Sequence, residues 1–202
     1  MRMLCVALAI TGMLTLSARA ATSETDTGTS TITFDSITGG GTCTVAVTTP
    51  VQVGDQNGID PTLAIGHDWV GLAHTPFNVN LTDCVGLGGT TTLTPKITLT
   101  GATLTGKSAA AGDRLFSSGT NNTGFGIIIY KTSTPGSGIT DIATVSDGTI
   151  PLPGYGAGSV LNGTVHVPLV AAVGCGATAD CSESALRPGA LSASITFGFA
   201  YK

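Results

Sequence analysis

An all-β sandwich is the fold that the sequence predicts, and three observations predict it. Short segments of alternating apolar and polar residues recur along the chain. Turn-rich stretches such as "TGGGT", "GDQNG", "SSGTNNTG", "TPGSG" and "PLPGYGAGS" separate them. Helix formers are scarce: Glu occurs only at Glu24 and Glu183, and no apolar stripe at helical spacing lasts three turns.

The segments follow one another in order. "MRMLCVALAITGMLTLSARA" (1–20) has a basic start at Arg2, an apolar run from Met3 to Leu16 and small residues at Ala18 and Ala20. It reads as a secretory signal peptide cut after Ala20, with a run too short to span a bilayer comfortably. Strand patterns follow in "TSTITFD" (29–35), "TCTVAVTT" (42–49), "PFNVNLTDC" (76–84), "TTLTPKITLTG" (91–101), "GFGIIIYK" (124–131) and "GTVHVPLVAAV" (163–173). The best comes last. In "LSASITFGFAYK", Leu191, Ala193, Ile195, Phe197, Phe199 and Tyr201 share one face of a strand. The stretch 59–74 fits no period and reads as a loop with an irregular strand or a helical turn. No second domain and no repeat period is visible.

Charge narrows the partners. Without Arg2 and Arg19, 6 basic side chains face 12 acidic ones, a formal charge of −6. No basic patch exists for nucleic acid or an anionic membrane. Four cysteines remain beyond the signal peptide, Cys43, Cys84, Cys175 and Cys181. In an exported chain an even number points to disulfides, and three pairings are possible. The small-residue loop "GATAD" suits a local Cys175–Cys181 bridge, which leaves Cys43 for Cys84. Zinc is the competing reading, with His67, His74 and His166 available, but no CxxC or HxxxH spacing supports it.

Catalytic constellations are missing from the pattern, and no cofactor is expected. "GYGAGS" follows two prolines with no helix behind it, so it is a surface loop rather than a phosphate cradle. No GxSxG elbow occurs. The aspartates, such as Asp55, Asp60, Asp113 and Asp147, fall in turns, where local hydrogen bonding favours them. His166 alternates away from Val165 and Val167, onto the sheet surface. Trp69 could stack on a sugar, although a lone Trp more often packs a core or a loop.

Two stretches and the ending carry a resemblance. "ITFDSITGGGTC" places Phe34 nine residues before Cys43, and "FNVNLTDC" leads to Cys84, forty-one residues after Cys43. "PGALSASITFGFAYK" ends with an aromatic as penultimate residue, Tyr201, and has Gly189 fourteenth from the end. Together these resemble the pilins of Gram-negative chaperone–usher fimbriae, type 1 pilus-like. Ser36 stands where many such pilins have glycine, and Cys175–Cys181 is additional to their single bridge.

The resemblance implies an incomplete immunoglobulin-like β-sandwich lacking its seventh strand, completed by a donor strand from another chain. Residues 21–36 would be the N-terminal donor-strand arm and 37–202 the domain. Gly28, Ser30, Ile32 and Phe34 would form the arm's inserting face. Gly189 and the face from Leu191 to Tyr201 would line an open groove, bound first by a periplasmic chaperone and then by a neighbouring subunit. The implied function is a non-enzymatic fimbrial subunit delivered to an outer-membrane usher and supporting cell adhesion at the cell surface. Direct binding of a host receptor, glycan or protein, through 59–74 or 102–124, is the alternative.

Overall fold

The computed structural model describes residues 30–36, 43–54, 58–85, 93–136 and 138–202. The expected signal peptide, Gly28 and Asp55 lie outside them. Among the described residues there are nine strands: β1 (Ser30–Ser36), β2 (Thr44–Val47), β3 (Val51–Val53), β4 (Leu72–Thr82), β5 (Pro95–Gly101), β6 (Gly126–Tyr130), β7 (Thr149–Pro151), β8 (Val165–Gly174) and β9 (Ser192–Tyr201). Helix among the described residues is confined to α1 (Ala109–Gly112) and two 3-10 turns, Pro61–Leu63 and Glu183–Ala185. Each expected strand segment holds a strand. β3 and β7, three residues each, are too short to show a period.

The strands form two sheets, ordered β3-β1-β9-β5-β7 and β2-β4-β8-β6. An immunoglobulin sandwich pairs its strands A-B-E-D in one sheet and C-F-G in the other. Here β2-β4-β8-β6 takes the A-B-E-D places, while β5 and β9 take those of C and F. The place of G, beside F, is held by β1, the first strand rather than the last. β2 and β3 flank the cis bond Thr49–Pro50, where the chain crosses from one sheet to the other. The architecture is therefore an immunoglobulin-like sandwich with an unusual occupant in one strand position.

Alternation puts the core between the sheets. Val79 and Leu81 of β4, Ile97 and Leu99 of β5, Val167 and Leu169 of β8, and Ile195 and Phe197 of β9 are all fully buried there. Phe77 and Phe197 meet across the gap at 6.0 Å between ring centroids. β6 departs from alternation because both of its faces are covered. Ile127 and Ile129 join the central core, while Ile128 and Tyr130 join a second cluster with Trp69, Leu104, Ala111 and Leu115 on the outer side. That second cluster accounts for the stretch 59–74. It is a covering loop with one 3-10 turn, capped by Asp60, and β4 begins only at Leu72 with a bulge before Thr75.

The loop 175–181 binds this cover to the sandwich. Cys175 and Cys181 are disulfide-bonded, as are Cys43 and Cys84. Gly66 N–H donates to the Cys181 carbonyl at 3.0 Å, and Trp69 N–H donates to the Gly176 carbonyl at 2.8 Å. Asp180, 8% exposed, accepts from Ser108 N–H at 2.9 Å and from the Ser108 hydroxyl at 2.5 Å. The Lys107 ammonium donates to the Asp180 carbonyl at 2.5 Å; burial pushes its pKa down and the Asp180 carboxylate opposes this. Asp180→Ala removes the buried carboxylate that holds the exposed Ser108 through its N–H and hydroxyl. A loss of about 2 kcal/mol in urea unfolding is expected, with a smaller loss for Asp180→Asn.

One glycine is held by its surroundings. Gly124 has φ +77, and an added Cβ would run into the Ala185 carbonyl oxygen, a backbone atom. Gly124→Ala therefore combines a left-handed conformation with a backbone clash. A lowered melting temperature is expected, equivalent to about 1–3 kcal/mol, read by thermal unfolding.

Candidate functional site: the strand position between β3 and β9

The site is a slot in the five-stranded sheet. β3 and β9 belong to the same sheet but are bridged only by β1. Neighbouring strands lie about 4.8 Å apart, so the space between β3 and β9 is the width of one strand. β1 pairs antiparallel with β3 at Ser30↔Val53, Thr31↔Gln52 and Ile32↔Val51. On its other side it pairs parallel with β9, from Thr31↔Ser192 to Ser36↔Phe197.

The occupant is built as an appendage. Six residues, 37–42, join β1 to Cys43, where the first disulfide fixes the start of β2 to the end of β4. Both disulfides and all the other strands lie on the far side of that joint. In the loop-entropy picture, the bridge over 41 residues contributes about 4 kcal/mol to the body without involving the arm. Ile32 reaches 0% exposure and joins the core with Val51, Val53, Ala193 and Ile195. Its full burial contributes about 1.5–3 kcal/mol.

β9 supplies the floor and one wall. Leu191, Ala193, Ile195, Phe197 and Phe199 point into the core, and Ser192 and Ser194 lie exposed on the outer face. Tyr201 is half-buried, edge-on to Phe199 at 5.2 Å. Gly189 precedes the strand at φ +156, with the Thr123 methyl 2.9 Å from where a Cβ would stand. At this end a cavity of about 270 Å³ opens, lined by Ile59, Leu72, Phe125, Arg187, Gly189 and Leu191. The sequence reading has β9 as an edge beside an open groove. In the structure β9 is an inner strand, because the chain's own residues 30–36 lie beside it. Strand alternation marked the face of β9, but nothing in it marked the partner.

The other singled-out residues stand elsewhere. Trp69 is 5% exposed with the Arg114 guanidinium 5.7 Å over its ring, so its face is not open to a sugar. His166 is exposed on the outer face and shares a 2.6 Å hydrogen bond with the Asn80 side chain. Asp60 accepts from the Thr62 hydroxyl and N–H, which hold its carboxyl below the usual range. Asp113 accepts from Ser146, and Asp147 accepts from the Thr149 hydroxyl. All four cysteines beyond the expected signal peptide are in disulfides, so no thiolate is left for zinc. Among the described residues no three or more metal-ligating side chains are grouped, and no helix is long and apolar enough to cross a membrane.

Fold and site define a class: a two-sheet immunoglobulin-like sandwich whose strand G place is filled by β1, the first of the described strands. Comparison with known proteins adds the following. No family model and no curated protein matches the chain. Among solved structures it is similar to the P pilus rod subunit PapA, at 20% identity and a TM-score of 0.47, over 80% of this chain and 99% of that one. It is also similar to a chaperone-usher pilus structure, at 20% identity and a TM-score of 0.49, over 84% of this chain and 93% of that one.

Proposed function

We propose that the chain is a structural subunit of a surface fimbria, assembled by exchange of the strand that fills the slot. The observation that carries this reading is the identity of the occupant. The strand between β3 and β9 comes from a segment tethered by six residues and lying outside both disulfides. A strand held this way can be lent to another copy when a second strand takes its place in the slot. The slot it leaves has a bare β9 edge over an apolar floor, which must be covered to avoid aggregation. Adding a strand from another chain is an established way of covering such an edge, used in chaperone–pilin complexes.

In this reading a periplasmic chaperone covers the slot during transit, and an outer-membrane usher admits the arm of the next subunit. Residues 21–36 are the donor and 37–202 the body. Ile32 inserts with Ser30, Phe34 and Gly28 on its face, and Gly189 with the face from Leu191 to Tyr201 receives them. The fibre then supports adhesion at the cell surface, and no catalytic role is proposed. Co-expression with a matching chaperone and usher tests this. Fibres on cells making the full chain, and none on cells making a chain without residues 21–36, are expected. Fibres from both would overturn the reading.

A further inference from the structure

We propose that Asn162 is a self-modification site, where the folded chain turns its own side-chain amide into a carboxylate through a cyclic imide. The chemistry is independent of fibre assembly.

Ring closure needs three things at once. The backbone nitrogen after the asparagine must be free to attack, its residue must not obstruct the approach, and the backbone must be able to bend into the ring. Asn162, Gly163 and Thr164 are all exposed, in a bend between two buried anchors, Leu161 and Val165. Neither the Asn162 side chain nor the Gly163 N–H is hydrogen-bonded to another described residue. Gly163 has φ +71 and open space where a Cβ would stand, so no side chain opposes the rotation that the ring requires.

The step balances without a cofactor. The Gly163 nitrogen gives its proton to base and bonds to the Asn162 side-chain carbonyl carbon. The bond from that carbon to the amide nitrogen breaks, and ammonia leaves carrying a proton. Water then opens the imide at either carbonyl. The products are aspartate and isoaspartate, in which the main chain runs through the former side chain. Water is the only reagent consumed, and nothing is oxidised or reduced.

The other described asparagines are held out of this chemistry. The Asn121 amide donates to the Ser117 hydroxyl and the Phe125 carbonyl, both at 2.7 Å, and accepts from Thr123 N–H at 2.9 Å. That same Thr123 nitrogen is the one that would attack Asn122, and its residue is β-branched. Asn78 and Asn80 lie within β4, ahead of Val79 and Leu81, whose fully buried side chains pin the backbone. Asn57 also precedes a glycine and lies outside the described residues.

Each conversion adds one negative charge just ahead of β8. Isoaspartate also lengthens the main chain, but inside an exposed bend that carries no ladder bond. The fold should therefore persist while the acidic form accumulates with the age of the protein.

The chain beginning at residue 21 would be incubated folded in heavy-oxygen water and mapped by peptide mass spectrometry, with the Asn57 and Asn162 peptides separated. A urea-unfolded sample and an Asn162→Gln variant would run beside it. Conversion at Asn162 is expected to be at least several-fold faster than at Asn121, with heavy oxygen incorporated and isoaspartate detected by enzymatic methylation. The rate should rise from mildly acidic to mildly alkaline pH, because the attacking nitrogen must lose its proton. Asn162→Gln should abolish the acidic form of that peptide, and aged protein should melt at the temperature of fresh protein. Asn162 left intact in the folded chain would overturn the assignment, and conversion in the unfolded sample alone would show that the fold holds the bend. Equal rates at Asn162 and Asn121 would overturn it too, as would conversion without isoaspartate, the mark of direct hydrolysis rather than ring closure.

Discussion

A chain without residues 30–36 is expected not to hold its fold alone. Deletion strips six residues of β9, Ser192–Phe197, of their partner on one side, and takes from β3 its neighbour in the sheet. Each lost ladder bond removes about 0.5–1.5 kcal/mol, and each main-chain group left dry costs more. Ile32 leaves a hole in the core worth about 2–5 kcal/mol. Against a total stability of roughly 5–15 kcal/mol, the sum is enough to abolish the native state or leave it marginal. Circular dichroism and size exclusion would show an unfolded or aggregated species for the truncated chain. Addition of a synthetic peptide covering residues 21–36 should restore a cooperative transition, because the body's disulfides and other strands are intact. The same peptide should leave the full chain unchanged over short incubation. A truncated chain that melts cooperatively by itself would show that the eight remaining strands form a closed sandwich.

Phe197→Ala carries the second large effect. Phe197 is fully buried in the middle of β9, facing Phe77 of the opposite sheet and level with Ser36 of β1. Truncation removes the aromatic contact and leaves a cavity that sheets pinned by ladders on both sides cannot close. A loss of about 3–5 kcal/mol is expected in urea unfolding of the full chain. The accompanying signature is functional. An arm should leave the softened slot faster, so polymers of the variant should fall apart in SDS at a lower temperature than those of the parent. Thr196→Ala, one residue away and only partly buried, should change either reading far less.

The fold class was legible because the core is built from half-buried strands. In β9 and β4 one face meets the opposite sheet and the other meets water, so burial is written as alternation. Where a strand is covered twice the signal fades. β6 is buried at every position, and its outer cover, Trp69 with Leu104 and Leu115, comes from loops that have no period. The same cover hides the meaning of 59–74, which backbone bonds to 175–181 tie to the sandwich from far along the chain. The second disulfide was legible from the short loop between its cysteines, but its work as an anchor through Asp180 was not, since Ser108 lies 72 residues away.

At the site, the sequence carried the two strands and not their relation. Alternation marks Ile32 and the face of β9 as apolar, and Ile32 and that face from Leu191 to Phe199 are buried. It cannot state that they meet within one chain, because alternation shows which face of a strand is buried and not which strand lies beside it.

The most direct test of the account is unboiled SDS electrophoresis of the chain beginning at residue 21 after prolonged incubation at high concentration. It would run beside the chain lacking residues 21–36 that has been refolded with the peptide. The full chain is expected to give a ladder of resistant polymers that collapses to monomer on boiling, and the peptide-capped chain a single band. Identical single bands from both, with the full chain stable and monomeric throughout, would contradict exchange and leave β1 as an ordinary strand of a finished domain.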